Sequence, residues 1–384
     1  MKSNSIQSII ATTALVGMTA LAGSQARAED MGLPLHGFAD VNLGGATPNT
    51  PIEQRQRGFS IGTVDLYLAP EFDGGVKSLI EIAFEGEADK GGIAVDVERL
   101  QVGYTFNDYL TLWAGRFHTS YGYWNNAFHH GAQLQTSIYR PRFLDFEDKG
   151  GILPAHSTGL WAKGQARIMD QKLVYNFYVA NGSRIVDGTL DMNQVRNDKD
   201  RMMVGGSVAL NLRGALDGLQ VGVHALSSEV DSYNTGAGPD AAIYDSNATA
   251  TSKTDVMMTG GFLVYDAHDF EVIGEYYNFA NKDISNSGAE AKKSYAAVAQ
   301  VGYAVREDLR PYVRYERANL DQTDSYFSQQ TSSGKSYKRT TAGLRYDLNP
   351  KATVKAEYLE TSLQDPTAGD PVYKVWQMQY AIRF

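Results

Sequence analysis

The chain of 384 residues contains no cysteine. That excludes disulfides, thiolate metal centres and cysteine nucleophiles, and makes folding independent of redox machinery. Long apolar runs are scarce as well. Beyond residue 28 no window approaches the roughly 18 consecutive apolar residues that a membrane-crossing helix needs. A mature chain that crosses a membrane must then do so as a closed barrel. The Gly patterns of nucleotide-binding loops, the His and Cys spacings of zinc sites and the EF-hand loop are all missing from the sequence, so no cofactor or metal is expected.

What is present begins with an export signal. Lys2 precedes a mostly apolar run from Ile9 to Ala22 and then Ala26-Arg27-Ala28, small residues suited to a signal peptidase. The expected division is a signal peptide over 1–28 and a mature barrel over 29–384, beginning at Glu29. Removing Lys2 and Arg27 from the 35 cations leaves 33 against 44 acids, a net charge of −11. This balance argues against nucleic acid as a partner.

The 23 tyrosines and 38 glycines sit in a chain whose dominant period is two. Segments of about 9 to 14 residues alternate apolar and polar, the length a tilted strand needs to cross the hydrocarbon core. In Leu33 to Gly44, for example, Leu35, Ala39, Val41 and Leu43 share one face and His36, Asp40 and Asn42 the other. Fifteen further segments follow, near 57–70, 76–87, 92–106, 109–117, 157–168, 171–181, 201–213, 216–228, 253–266, 268–280, 291–305, 309–320, 336–348, 352–363 and 372–384. Sixteen is an even number, as single-chain bacterial barrels require.

The connections alternate in length. Short ones rich in Gly, Pro, Asn and Asp follow each even-numbered strand, such as Asp266-Ala267-His268-Asp269 and Asn349-Pro350-Lys351-Ala352. Longer polar ones lie near 45–56, 88–91, 118–156, 182–200, 229–252, 281–290, 321–335 and 364–371. Short turns at one rim and long loops at the other predict an all-β transmembrane antiparallel barrel with periplasmic turns and outer loops. The last strand places Trp376, Met378, Tyr380, Ile382 and Phe384 on one face and Gln377, Gln379 and Arg383 on the other. An aromatic residue ending such a strand resembles the signal by which outer-membrane proteins reach the barrel assembly machinery.

Sixteen strands with the longest connection after the fifth resemble the bacterial porin superfamily, in which the third outer loop folds inward and narrows the pore. Within it, Ala114-Gly115-Arg116-Phe117 and Val179-Ala180-Asn181-Gly182 are similar to segments of phosphate-selective porins of the O/P type. The chain departs from that type in lacking a Lys-rich cluster in the long loop, which holds Lys149 beside Arg140 and Arg142. The resemblance implies passive diffusion of small hydrophilic solutes, an outer-membrane lipid surround and a homotrimer.

A pore discriminates through its width and the charges at its narrowest ring. The loop from His118 to His156 carries Tyr121, Tyr123, Trp124, Tyr139, Arg140, Arg142, Asp145, Glu147, Asp148 and Lys149, and two placements are open for it: folded into the lumen, or packed as a lid over the mouth. Strand parity points Arg310, Arg314, Arg339, Arg345 and Lys355 inward, with Glu316 and Glu357 beside them. The candidate pore-lining set is therefore these five cations with Arg140, Arg142, Asp145, Glu147 and Asp148. It is read either as a basic wall opposing an acidic loop or as a polar interior that pairs with itself. The adjacent His129 and His130 point to opposite sides of an extended segment and do not suggest a shared metal. A substrate-specific channel, a plugged structural barrel and a hydrolase built on Ser157 beside His156 are the rival readings.

Overall fold

The computed structural model describes residues 35–384 except 52–53, 56, 88–90, 129–130, 147–148, 192–200, 237–249, 332 and 366–368. The expected signal peptide, His129, His130, Glu147 and Asp148 lie outside the described residues. Sixteen strands form the wall: β1 His36–Ala46, β2 Gly58–Leu68, β3 Val76–Glu87, β4 Gly92–Asn107, β5 Leu110–His118, β6 His156–Ile168, β7 Gln171–Ala180, β8 Met203–Asn211, β9 Leu219–Tyr233, β10 Ser252–Ala267, β11 Phe270–Asp283, β12 Lys292–Tyr303, β13 Leu309–Asn319, β14 Ser336–Asn349, β15 Ala352–Gln364 and β16 Val372–Arg383.

Each strand pairs antiparallel with the next, and β16 returns to β1 from Phe38↔Arg383 to Ala46↔Val375. The ends of the wall are tied by two backbone bonds, Gly37 N–H to Phe384 O at 3.1 Å and Phe384 N–H to Gly37 O at 3.0 Å. Closure removes the sheet edges that would otherwise leave unpaired amides in lipid. The turn after β6 has Met169 and Asp170 at φ 45° and 67°, and that after β10 has His268 and Asp269 at φ 51° and 67°. These left-handed pairs match the twist of a two-residue hairpin, here without glycine.

The alternation has its expected consequence. On β13, Val313 and Tyr315 are 58% and 48% exposed on the outer face, while Arg314 and Glu316 are 1% and 0% exposed inside. On β16, Trp376, Met378 and Tyr380 face out and Gln377 and Gln379 are buried. Aromatic rings gather on the outer surface near the turns, with Phe270 and Tyr303 in contact at 4.8 Å and Tyr104 and Phe106 at 4.7 Å. Amphipathic rings there suit the interface between hydrocarbon and headgroups.

Among the described residues the register shifts at several places in the wall, and two departures from simple alternation bear on the lumen. Between Glu81↔Arg99 and Ile82↔Val97 the register of β3 and β4 slips. The extra residue, Glu98, is left unpaired in the ladder, a bulge that re-aims neighbouring side chains. The connection after β7 also carries a short hairpin, Arg184–Val186 with Thr189–Asp191, whose first strand lies parallel to the end of β9. The Arg184 Nε to Asp191 Oδ2 bond at 2.8 Å braces it.

Candidate functional site

The described residues of the long loop, between 119 and 155, lie inside the barrel. Trp124 and Phe143 have no exposed surface and Tyr121 almost none. They pack with Tyr277 of β11, the ring of Phe143 5.2 Å and that of Tyr121 6.2 Å from it. A loop this long and aromatic gains from burial what a solvated connection would lose in order. The lid placement is thereby overturned.

The loop is held mainly through its backbone. Loop amides in a lumen must find acceptors, and the wall supplies carboxylates. Glu275 accepts the N–H of Tyr123 at 3.0 Å and of Trp124 at 2.7 Å, Glu357 that of Ile138 at 2.8 Å, and Glu316 that of Arg142 at 2.7 Å. Glu271 accepts the hydroxyl of Thr136 at 2.6 Å. These anchors fall on β11, β13 and β15. His224 on β9 accepts the Gly122 N–H at 3.1 Å, and Tyr139 donates its hydroxyl to Gln377 on β16.

The wall cations complete the clasp. Arg314 donates to Tyr139 O at 2.8 Å, Ser137 Oγ at 2.9 Å and Glu316 Oε1 at 3.0 Å. Arg345 donates to Gln133 O and Gln135 O, both at 2.9 Å, and pairs with Asp347 at 2.7 Å. Lys355 donates to Ser137 O at 3.1 Å and also to Ala132 O. Arg339 reaches Gln54 Oε1 at 2.8 Å and Tyr373 at 3.0 Å.

Every described member of the sequence-derived set therefore lies within the barrel, but its role there differs from a basic wall opposing an acidic loop. Arg314, Lys355, Arg140 and Arg142 are buried in contacts that position the loop, while the equally buried Arg339 is held by Thr361, Gln54 and Tyr373. Arg140 bonds Leu144 O, Phe128 O and Asn125 Oδ1, each at 2.9 Å, so it knits the loop to itself. Asp145 is also buried and accepts the Phe146 N–H at 3.0 Å. Burial pushes its carboxyl up to about 6, against the opposing pull of Arg140 and Lys149. Arg310 and Arg345, with side chains 27% and 13% exposed, reach a cavity of about 230 Å³ shared with Tyr123, Asp266, Glu307 and Asp347 near the turns.

Near the turns, the inner face of β3–β7 receives none of the backbone anchors named above. There Arg99 and Lys77 keep 24% and 33% of their side chains exposed. Lys163 on β6 stands between two indoles, 4.9 Å from the ring of Trp161 and 5.4 Å from that of Trp113. Trp113 fits because its cross-strand partner is Gly103, where an added Cβ would fall 2.5 Å from the ring. The sequence signal for this wall is the parity of β6 and β7, sparser than the Arg pattern of β13 to β15.

The stems of the loop form a second cluster. His118 and His156 are cross-strand partners with rings 5.4 Å apart. His118 Nε2 lies 3.4 Å from Glu81, which also pairs with Arg99, and His156 pairs with Glu98. The bulge in β4 presents Glu98 and Arg99, adjacent in sequence, to this one cluster.

The family model for an outer membrane protein beta-barrel domain matches residues 214–384. A comparison with curated protein sequences finds no match. Among solved structures, the chain is similar to the outer membrane channel DcaP of Acinetobacter baumannii, with 12% identity, 92% of this chain and 97% of that chain covered, and a TM-score of 0.56. OmpF of Salmonella typhi, solved with daunomycin, gives 14% identity, 92% and 97% coverage and a TM-score of 0.55. The trimer form of OmpT of Vibrio cholerae gives 11%, 92% and 99%, and 0.55. At these identities the likeness is one of fold. The chain has the fold of a bacterial outer-membrane β-barrel, closed by sixteen antiparallel strands.

Proposed function

We propose that this barrel is a porin, a passive channel through which small hydrophilic solutes and ions cross the outer membrane after the chain's export behind its signal peptide. The observation that carries the reading is the loop's uneven attachment: its backbone is held from one side, and across the lumen Lys149 pairs with Glu85 of β3 at 3.0 Å and Phe146 stacks on His156 of β6. The loop's carboxylate anchors lie on β11, β13 and β15, and the facing wall keeps partly exposed cations. A lumen narrowed from one side and charged on the other is what selection by width and field needs. Such a channel catalyses nothing. Ser157 bonds Thr119 at 2.6 Å while His156 turns to Glu98, so the pair that suggested a hydrolase serves two different partners.

The surrounding lipid meets the apolar outer belt, and the aromatic C-terminal strand is the feature for the assembly machinery to bind. A homotrimer is the assembly we favour, in line with the trimer form of the similar Vibrio barrel. Phosphate selectivity of the O/P type finds no support in the loop, where Arg140 and Arg142 are buried and Lys149 is paired with Glu85 at 3.0 Å.

The test is single-channel recording of the refolded mature chain in a planar bilayer. Discrete ohmic steps are expected. A barrel that inserts stably and passes no current would favour the plugged, structural reading, and saturation of flux with one solute class would favour a specific channel.

A further inference from the structure

On the inner face of β6 and β7, register fixes which side chains share the lumen. Lys163 pairs with Asn176, and Arg167 with Lys172, along an uninterrupted ladder. Their outward neighbours Leu160, Ile168 and Phe177 are exposed to the lipid side. Lys163, Arg167 and Lys172 thus form an inward stripe from mid-wall to the turn at 169–170. Four residues of strand separate Lys163 from Arg167, about 13 Å of rise.

The other cations of this region have partners: Arg99 pairs with Glu81, Lys77 with Glu71 at 2.9 Å, and Arg116 with Asp96 at 3.9 Å. Lys163, Arg167 and Lys172 carry no carboxylate or other hydrogen-bond acceptor among the described residues. The indoles beside Lys163 offer it ring faces only. Trp161 donates its own N–H to Asn176 at 3.2 Å, and the buried Trp113 N–H has no acceptor among the described residues. The surroundings therefore hold donors in want of an acceptor, and a small oxyanion supplies what is missing.

We infer that Lys163, flanked by Trp113 and Trp161, is a binding station for small carboxylates, from which Arg167 and Lys172 lead the anion toward the periplasmic rim. This rests on the channel reading and gives it a solute class. Binding is reversible, with the ammonium and the Trp113 N–H donating to the carboxylate oxygens.

Two measurements test it, one of which needs no conduction. Sodium acetate titrated into the detergent-solubilised barrel at constant ionic strength is expected to shift tryptophan emission saturably. Lys163→Gln should weaken half-saturation about tenfold, the loss of one charge-assisted contact, and Lys163→Arg should restore it. Trp161→Phe should diminish the signal. In bilayers under a KCl gradient, Lys163→Glu should lower the chloride-to-potassium permeability ratio by at least about threefold. An acetate response unchanged in Lys163→Gln, or a permeability ratio unchanged in Lys163→Glu, overturns the inference. An acetate response that depends on Lys163 in a barrel that conducts nothing sinks the channel reading and leaves the site standing.

Discussion

A buried carboxylate is costly unless its oxygens are met by donors. Glu275 meets that condition with two loop amides and the Tyr277 hydroxyl, the last at 2.6 Å. Glu316 does the same with the Arg142 amide, Arg314 and the Tyr337 hydroxyl at 3.1 Å. The sequence offered these acids as pairs for neighbouring arginines. Their larger role, as acceptors for a loop some 150 positions away, has no local signature. Replacing Glu275 by Gln removes the charge from three hydrogen bonds, and about 1.5–3 kcal/mol of loop docking should go with it. Trypsin should then cut after Arg142 in the folded variant while the strands stay protected. Equal resistance in variant and wild type would show that Glu275 does not hold the loop.

At the scale of the element, the long loop behaves as a packed internal segment whose aromatic residues face a polar wall. Its composition showed that it needed burial but not where, because a lid and an inward fold demand the same rings. The choice was made by acceptors on β11, β13 and β15, distant in sequence. Asp145 gives this segment a pH dependence. Its carboxyl is held at about 6 against an ordinary 3.8, so the neutral acid is the form that the packed loop prefers. The resulting stabilisation is fully present below about pH 4 and is lost as pH rises through about 6. Loop proteolysis, or current noise in a bilayer, should therefore increase from pH 4 to 7 in the wild type and stay flat in Asp145→Asn. A wild-type profile as flat as the variant's would contradict the assignment.

For the molecule as a whole, period-two patterning made all sixteen strands and the side of each turn legible. Lipid on one face and water on the other force the same alternation on every strand. Boundaries shifted where backbone pairing outlasted the pattern, as on β9, which continues to Tyr233 past the expected 228. The bulge at Glu98 is carried in the sequence only as a change of parity inside the 92–106 segment, the apolar residues falling at 93, 95 and 97 and then at 100, 102 and 104. The inward arginines of β13 and β14 stood out by their density, yet the structure buries both, Arg314 against the loop and Arg339 against Gln54 and Tyr373. The sparser cations of β6 and β7 lie on the side that receives none of the loop's backbone anchors named above.

The porin reading requires the inner face of β6 near the turns, which the loop's backbone anchors leave free, to be open to water. Because the chain has no cysteine, single replacements report access without background. Lys163→Cys and Thr341→Cys, the latter at a buried inward position of β14, would each be exposed to a charged methanethiosulfonate reagent during single-channel recording. Rapid modification with a stepwise change in current for Lys163→Cys and none for Thr341→Cys is the predicted result. The reverse order of reactivity would contradict the account.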